Sequence, residues 1–89
     1  MADKSLTIEI GITEVEQITQ AEAHLRGIGT SELVGRGTAR CNPGDENIPD
    51  IGDELATARA LNDLTHQLMH TATLDIEAHT SRRVDHLRI

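Results

Sequence analysis

Phenylalanine, tyrosine and tryptophan are absent from this chain, which limits both what the fold can bury and what it can bind. Each aromatic side chain would have contributed roughly 150–250 Å² of burial, so the core has to be assembled from Ile, Leu, Val, Ala and Met. Unpaired bases find no ring to stack on, which excludes single-stranded RNA recognition of the usual kind. Cysteine occurs once, at Cys41; no intrachain disulfide can form, and the residue reads as a small apolar side chain rather than an activated thiolate. Long apolar runs are missing too. No stretch approaches the roughly 18 residues of a bilayer span, and Met1-Ala2-Asp3-Lys4-Ser5 is polar, unlike a signal peptide. A cytoplasmic protein is the expectation.

Basic residues are scarce, eight against fifteen acids, for a net charge of −7. That balance opposes nonspecific attraction to nucleic acid and to anionic membranes, so an RNA partner would need a local basic patch. With 89 residues there is room for one small domain, residues 1–89, whose stability should be about 4–13 kcal/mol. A core this thin, without disulfide or aromatic ring, favours association, and a homodimer is expected.

Residues 6–12 alternate, with Leu6, Ile8, Ile10 and Ile12 on one side and Thr7, Glu9 and Gly11 on the other, the pattern of a half-buried strand. Residues 13–26 admit two readings. Thr13-x-x-Glu16 is a capping-box pattern with Val15, Ile18 and Leu25 near helical spacing, yet Thr19, Ala21, Ala23 and Leu25 also share one face of a strand. Pattern alone leaves the two even. On the strand reading, Gly27-Ile28-Gly29-Thr30-Ser31 is a hairpin loop. In the next run Leu33, Gly35, Gly37, Ala39 and Cys41 form a smooth face, and glycines inside a strand mark a close backbone approach. Pro43-Gly44 signals a turn. From Asp50 or Asp53 as cap, an amphipathic helix follows, its apolar face widened by Leu64 and Met69, with Leu55, Ala58, Leu61, Leu68 and Ala72 predicted to cover Leu6, Ile8, Ile10 and Leu33. Thr71-Ala72-Thr73 is a soft spot after about His70.

With Val34-Gly35-x-Gly37-x-Ala39-Arg40-x-Asn42-Pro43, then Ile51-Gly52-Asp53-Glu54-Leu55-Ala56-x-Ala58-Arg59-Ala60-Leu61-x-Asp63-Leu64, then Asp75-Ile76-Glu77-Ala78-x-Thr80, the chain resembles a family of small actinobacterial proteins of unknown function with a dsRBD-like fold. Some members are induced under hypoxia and dormancy. The likeness spans residues 6–80 and implies an α+β fold, a three-stranded antiparallel sheet followed by one long helix (β-β-β-α), together with a dimer. It therefore implies a strand at 18–26; with the residue patterns this puts the sheet over 5–41, a loop at 42–50 and the helix over 51–79, and Arg82, Arg83, His86 and Arg88 make a basic tail at 80–89. A structural similarity of the family to ribosome hibernation-promoting factors implies that members bind and silence ribosomes, which is fold analogy rather than chemistry.

Three classes of function follow. The first is a stress or dormancy accessory protein that binds the ribosome or translation machinery through Arg36, Arg40, Arg59, Arg82 and Arg83, provided that they form one patch. Against this, Arg59 sits four residues before Asp63, and Arg36 and Arg40 can pair with acids across the sheet. The second is a dimeric adaptor that docks another protein on an exposed strand or on the glycine face, without nucleic acid. The third is a metal site on one helix face, built from Asp63, His66 and His70. Gln67 stands where a His-Glu-x-x-His hydrolase has its Glu, and Gly35-x-Gly37 lacks the rest of a dinucleotide fingerprint. No enzyme, resident cofactor, small-molecule substrate or membrane contact is expected.

Overall fold

Strand periodicity prevails over helical spacing in the ambiguous stretch, and the reason lies in a turn. The computed structural model describes residues 2–27, 32–42 and 44–80. Strand β1 (Ile8–Val15) and strand β2 (Ile18–Leu25) form an antiparallel hairpin in which Val15 faces Ile18 and Ile8 faces Leu25. Its two-residue loop is Glu16 and Gln17, with φ of 49° and 66°. Both lie in the left-handed region, as a type I′ turn requires to match the twist of the strands. Such turns ordinarily carry Asn-Gly. A glycine at Gln17 should therefore stabilise the protein by about 1 kcal/mol, read as a higher urea midpoint for Gln17→Gly.

Strand β3 (Leu33–Arg40) pairs antiparallel with β2, Ile18 opposite Arg40 and Leu25 opposite Leu33, giving the sheet order β1-β2-β3. Most of the expected β2–β3 loop, Ile28 to Ser31, lies outside the described residues, as does Pro43. After β3 the chain turns, with Asp45 N–H donating to the Asn42 carbonyl at 3.1 Å and Gly44 at φ 105°. Helix α1 then runs from Pro49 to Thr80. Proline suits a first helical position because its missing N–H would have had no partner there. The predicted soft spot at Thr71–Thr73 is continuous helix, tied by the Thr73 hydroxyl donating to the Met69 carbonyl at 3.0 Å.

The helix presents a different face from the predicted one. Leu55, Ala58 and Leu61 are exposed, and so are Leu6 and Ile8 on the sheet side. The buried line is Ala56, Ala60 and Leu64, seated on Thr19, Ala21, Ala23, Leu25 and Ala39, with Ile10, Leu33 and Leu68 packed at its margin. Small residues explain the choice. A Cβ at Gly35 would lie under 3.0 Å from the Ala60 oxygen and the Leu64 nitrogen, and one at Gly37 under 3.0 Å from the Ala56 oxygen and the Ala60 nitrogen. The helix backbone therefore rests directly on β3, and only an Ala-Ala-Leu stripe fits beneath it. A bulkier side chain at Ala56 or Ala60 would hold the two elements apart.

Candidate interaction surfaces

The two edges of the sheet are treated differently. A two-residue hairpin loop makes Val15 and Ile18 a hydrogen-bonded pair, and alternation along the ladders then aims the backbone groups of even-numbered residues in both β1 and β3 outward. On β3 one such group at each of Val34, Arg36 and Thr38 is taken up by the helix. Arg36 N–H donates to Asp63 Oδ2 at 2.8 Å, Gln67 Nε2 donates to the Val34 carbonyl at 2.7 Å, and Arg59 Nη1 donates to the Thr38 carbonyl at 2.7 Å. Gln67 also donates to Asp63 Oδ2 at 3.1 Å, holding the carboxylate in place. Helical residues four apart thus reach alternate β3 positions, and their side chains cover that stretch of the edge. Removing the Asp63 acceptor in Asp63→Ala should cost about 1–2 kcal/mol and raise aggregation, measured by urea unfolding and light scattering.

On β1 the outward groups of Ile8, Ile10 and Ile12 have no partner among the described residues. The helix leans over β3 and β2, so the helix-side face of β1 is left largely uncovered: Ile8 is 42% and Ile12 45% exposed. Around the helix, Leu61 and Leu68 lie on the flank away from Asp63 and toward β1. Leu61 is exposed and Leu68 half-buried. Together they make an apolar strip beside an open strand edge.

The sheet face turned away from the helix is polar and carries an ion-pair network. Arg36 Nε donates to Glu22 Oε2 at 3.2 Å; His24 lies 3.3 Å from Glu22 and 3.4 Å from Glu32; Arg26 pairs with Glu32. The Arg26 hydrogen bond, seconded by that of His24, holds the Glu32 carboxyl below its ordinary 4.5. Because the folded-state value lies beneath the unfolded one, this contact stabilises above about pH 4.5 and is lost as pH falls through the depressed value. Glu32→Gln should flatten the acid limb of a stability profile between about pH 6 and 3, followed by urea midpoints.

At the helix N-terminus, a hollow of about 180 Å³ is lined by Arg40, Cys41, Asp45, Ile48, Ile51 and Leu55 among others. Cys41 is half-buried there rather than fully buried, its Sγ 3.6 Å from the Asn42 carbonyl and 3.7 Å from that of Glu46.

The residues proposed from sequence do not converge. Arg36 is engaged by Glu22, and Arg59 reaches the Thr38 carbonyl instead of Asp63. Arg40 faces solvent at the end of β3, its guanidinium without a hydrogen bond or ion pair among the described residues. Arg82 and Arg83 lie outside the described residues. Asp63 turns its carboxylate to β3 while His66 and His70 are exposed, and no metal-binding group of three side chains is assembled among the described residues. The glycine face, one of two docking surfaces considered, is buried under the helix. Sequence reasoning missed the edge lock of Arg59, Asp63 and Gln67. Its signal was present: a polar i, i+4, i+8 row beside the buried row Ala56, Ala60 and Leu64.

A three-stranded meander roofed by one helix defines a small α+β module. The chain belongs to the Rv2632c-like family, whose model matches residues 4–85. It is 53% identical over 74 residues to the uncharacterised Mycobacterium bovis protein Mb1767, covering 83% of this chain and 78% of that one. It is 46% identical over 81 residues to uncharacterised Rv2632c of Mycobacterium tuberculosis, covering 91% and 86% of the two chains. The crystal structure of Rv2632c superposes with a TM-score of 0.85 at 43% identity, over 92% of this chain and 96% of the other. No helix among the described residues is long and apolar enough to cross a membrane.

Proposed function

We propose that this protein acts by association with another protein, as an accessory module without a phosphate-binding surface. The observation that supports this reading is the use made of its arginines. Arg26 and Arg36 are paired with Glu32 and Glu22, and Arg59 is bound to a strand carbonyl. Among the described residues that leaves Lys4 and Arg40, on a chain of net charge −7, too little to hold a polyphosphate backbone. Ribosome binding of the hibernation-factor kind would need a contiguous cationic surface, and the arginines at 26, 36 and 59 are already engaged. Exposed apolar side chains are plentiful by contrast: Ile8, Ile12, Val15, Ile48, Ile51, Leu55 and Leu74 are each at least 42% exposed. Where they adjoin, as Ile8 and Ile12 do along β1 and Ile48, Ile51 and Leu55 do around one hollow, uncovered apolar area marks protein contact.

The test is capture from host extract with the immobilised full chain, beside co-sedimentation with ribosomes over a salt series. Partners that persist after nuclease treatment and are unaffected by Arg36→Ala and Arg40→Ala are the expected result. Ribosome binding that survives physiological salt and is weakened by those two substitutions would overturn the reading.

A further inference from the structure

The contrast between the edges carries one step more. We infer that β1 pairs antiparallel with β1 of a second copy of this chain, joining two three-stranded sheets into one of six strands. This rests on the reading above, that the protein works through protein contact, and it names the occupant of one surface.

Parity restricts the register. Outward backbone groups belong to the even residues of β1, so an antiparallel partner must set even against even, and the two-fold axis must pass through a residue rather than between two. Centring on Ile10 places Ile10 opposite Ile10 and Ile8 opposite Ile12, all on the helix side. On the polar side it places Glu9 opposite Gly11 and Thr7 opposite Thr13. No carboxylate then meets a carboxylate, and Gly11, with nothing within 4 Å of a Cβ built on it, leaves room beside Glu9. Centring on Gly11 would instead set Ile8 against Glu14, and centring on Glu9 would oppose two glutamates. Of the three registers, only the one centred on Ile10 sets apolar against apolar within β1 without opposing two carboxylates. Leu61 and Leu68 of the two copies then wall a trough whose floor is the isoleucine row.

Size sets the strength of the contact. Eight residues at about 3.3 Å give an edge roughly 26 Å long, and the molecule measures 20 Å in its narrowest dimension. Roughly 500 Å² per copy, or about 1,000 Å² in total, falls at the lower limit of stable interfaces. The dimer is therefore reversible and micromolar rather than obligate. Two bodies of charge −7 repel each other, so its affinity rises with salt, opposite to the behaviour of a nucleic-acid contact.

Sedimentation velocity of the full chain, from about 1 to 500 μM and at low and high sodium chloride, tests this. The expected result is a monomer–dimer equilibrium that tightens with salt. Ile12→Pro removes an outward N–H while leaving the ladder to β2 intact, and should raise the dissociation constant at least ~100-fold with the circular dichroism unchanged. The register is read separately in a Cys41→Ser background. Ile10→Cys should form an intermolecular disulfide on oxidation, since the paired Cα atoms would be about 5.5 Å apart, whereas Thr13→Cys should not. A monomer at every concentration, a dimer indifferent to Ile12→Pro, or cross-linking through Thr13→Cys in place of Ile10→Cys would overturn the pairing. None of these outcomes touches the association reading, which fails only through arginine-dependent ribosome binding.

Discussion

Gly37→Ala should lower the unfolding free energy by about 3 kcal/mol or more, although the change adds a single methyl group. The atoms in its way are the Ala56 oxygen and the Ala60 nitrogen, with the Arg59 Cβ. Two of these are helix backbone, which cannot rotate aside as a side-chain end would. Gly35→Ala meets the Ala60 oxygen and the Leu64 nitrogen in the same way. The pair together should leave little of the roughly 4–13 kcal/mol available to a chain of this length. Gly11→Ala is the matched control. It sits in a strand, a Cβ there meets nothing within 4 Å, and relief of glycine's extra chain entropy should make it neutral or stabilising by about 0.5–1 kcal/mol. Urea unfolding followed by circular dichroism separates the three. Equal midpoints for Gly37→Ala and Gly11→Ala would mean that the helix does not rest on β3 at this distance.

The second large effect is Leu64→Ala, expected to cost about 2–5 kcal/mol. Leu64 is the largest fully buried side chain among the described residues, 2% exposed, and it sits against Gly35 in the core cluster that includes Leu25. Leu61, three residues earlier on the same helix, is 36% exposed. Leu61→Ala in the monomer should therefore cost less than about 1 kcal/mol, because little area leaves water and little cavity forms. The reverse order would reinstate the stripe predicted from hydropathy and contradict the helix rotation described above. Unfolding should be measured at low protein concentration, where Leu61 is not covered by another copy.

Much of the architecture could be read from residue patterns, and the gaps have identifiable physical causes. Alternation placed Ile8, Ile10 and Ile12 on one side of a strand, and Leu33, Gly35, Gly37 and Ala39 on one face of another, as found. The β1–β2 hairpin was illegible because Glu16 and Gln17 occupy a turn that normally announces itself with Asn-Gly, so only the family resemblance favoured a strand over a helix at 18–25. The helix was found and the centre of its face misplaced: Leu64 and Leu68 do pack on the core, but hydropathy passed over Ala56 and Ala60, which contact with a glycine strand favours because they are small. Charge clusters proved the least legible feature. Arg36 and Arg59 look available in one dimension, but partners 14 and 21 residues away claim them. Asp63 reads as a metal ligand only until a strand N–H reaches it.

The helix is also much longer than the sheet that it covers. Gln67 already reaches Val34, next to the first residue of β3, yet α1 continues to Thr80, roughly 20 Å farther at 1.5 Å per residue. Protection against amide hydrogen exchange should accordingly fall along this one element. Amides from about Ala60 to Leu68 would open only with the whole molecule, while those of the last three turns open by fraying alone. A single unbroken helix would then hold two stability regimes, its boundary set by where β3 begins.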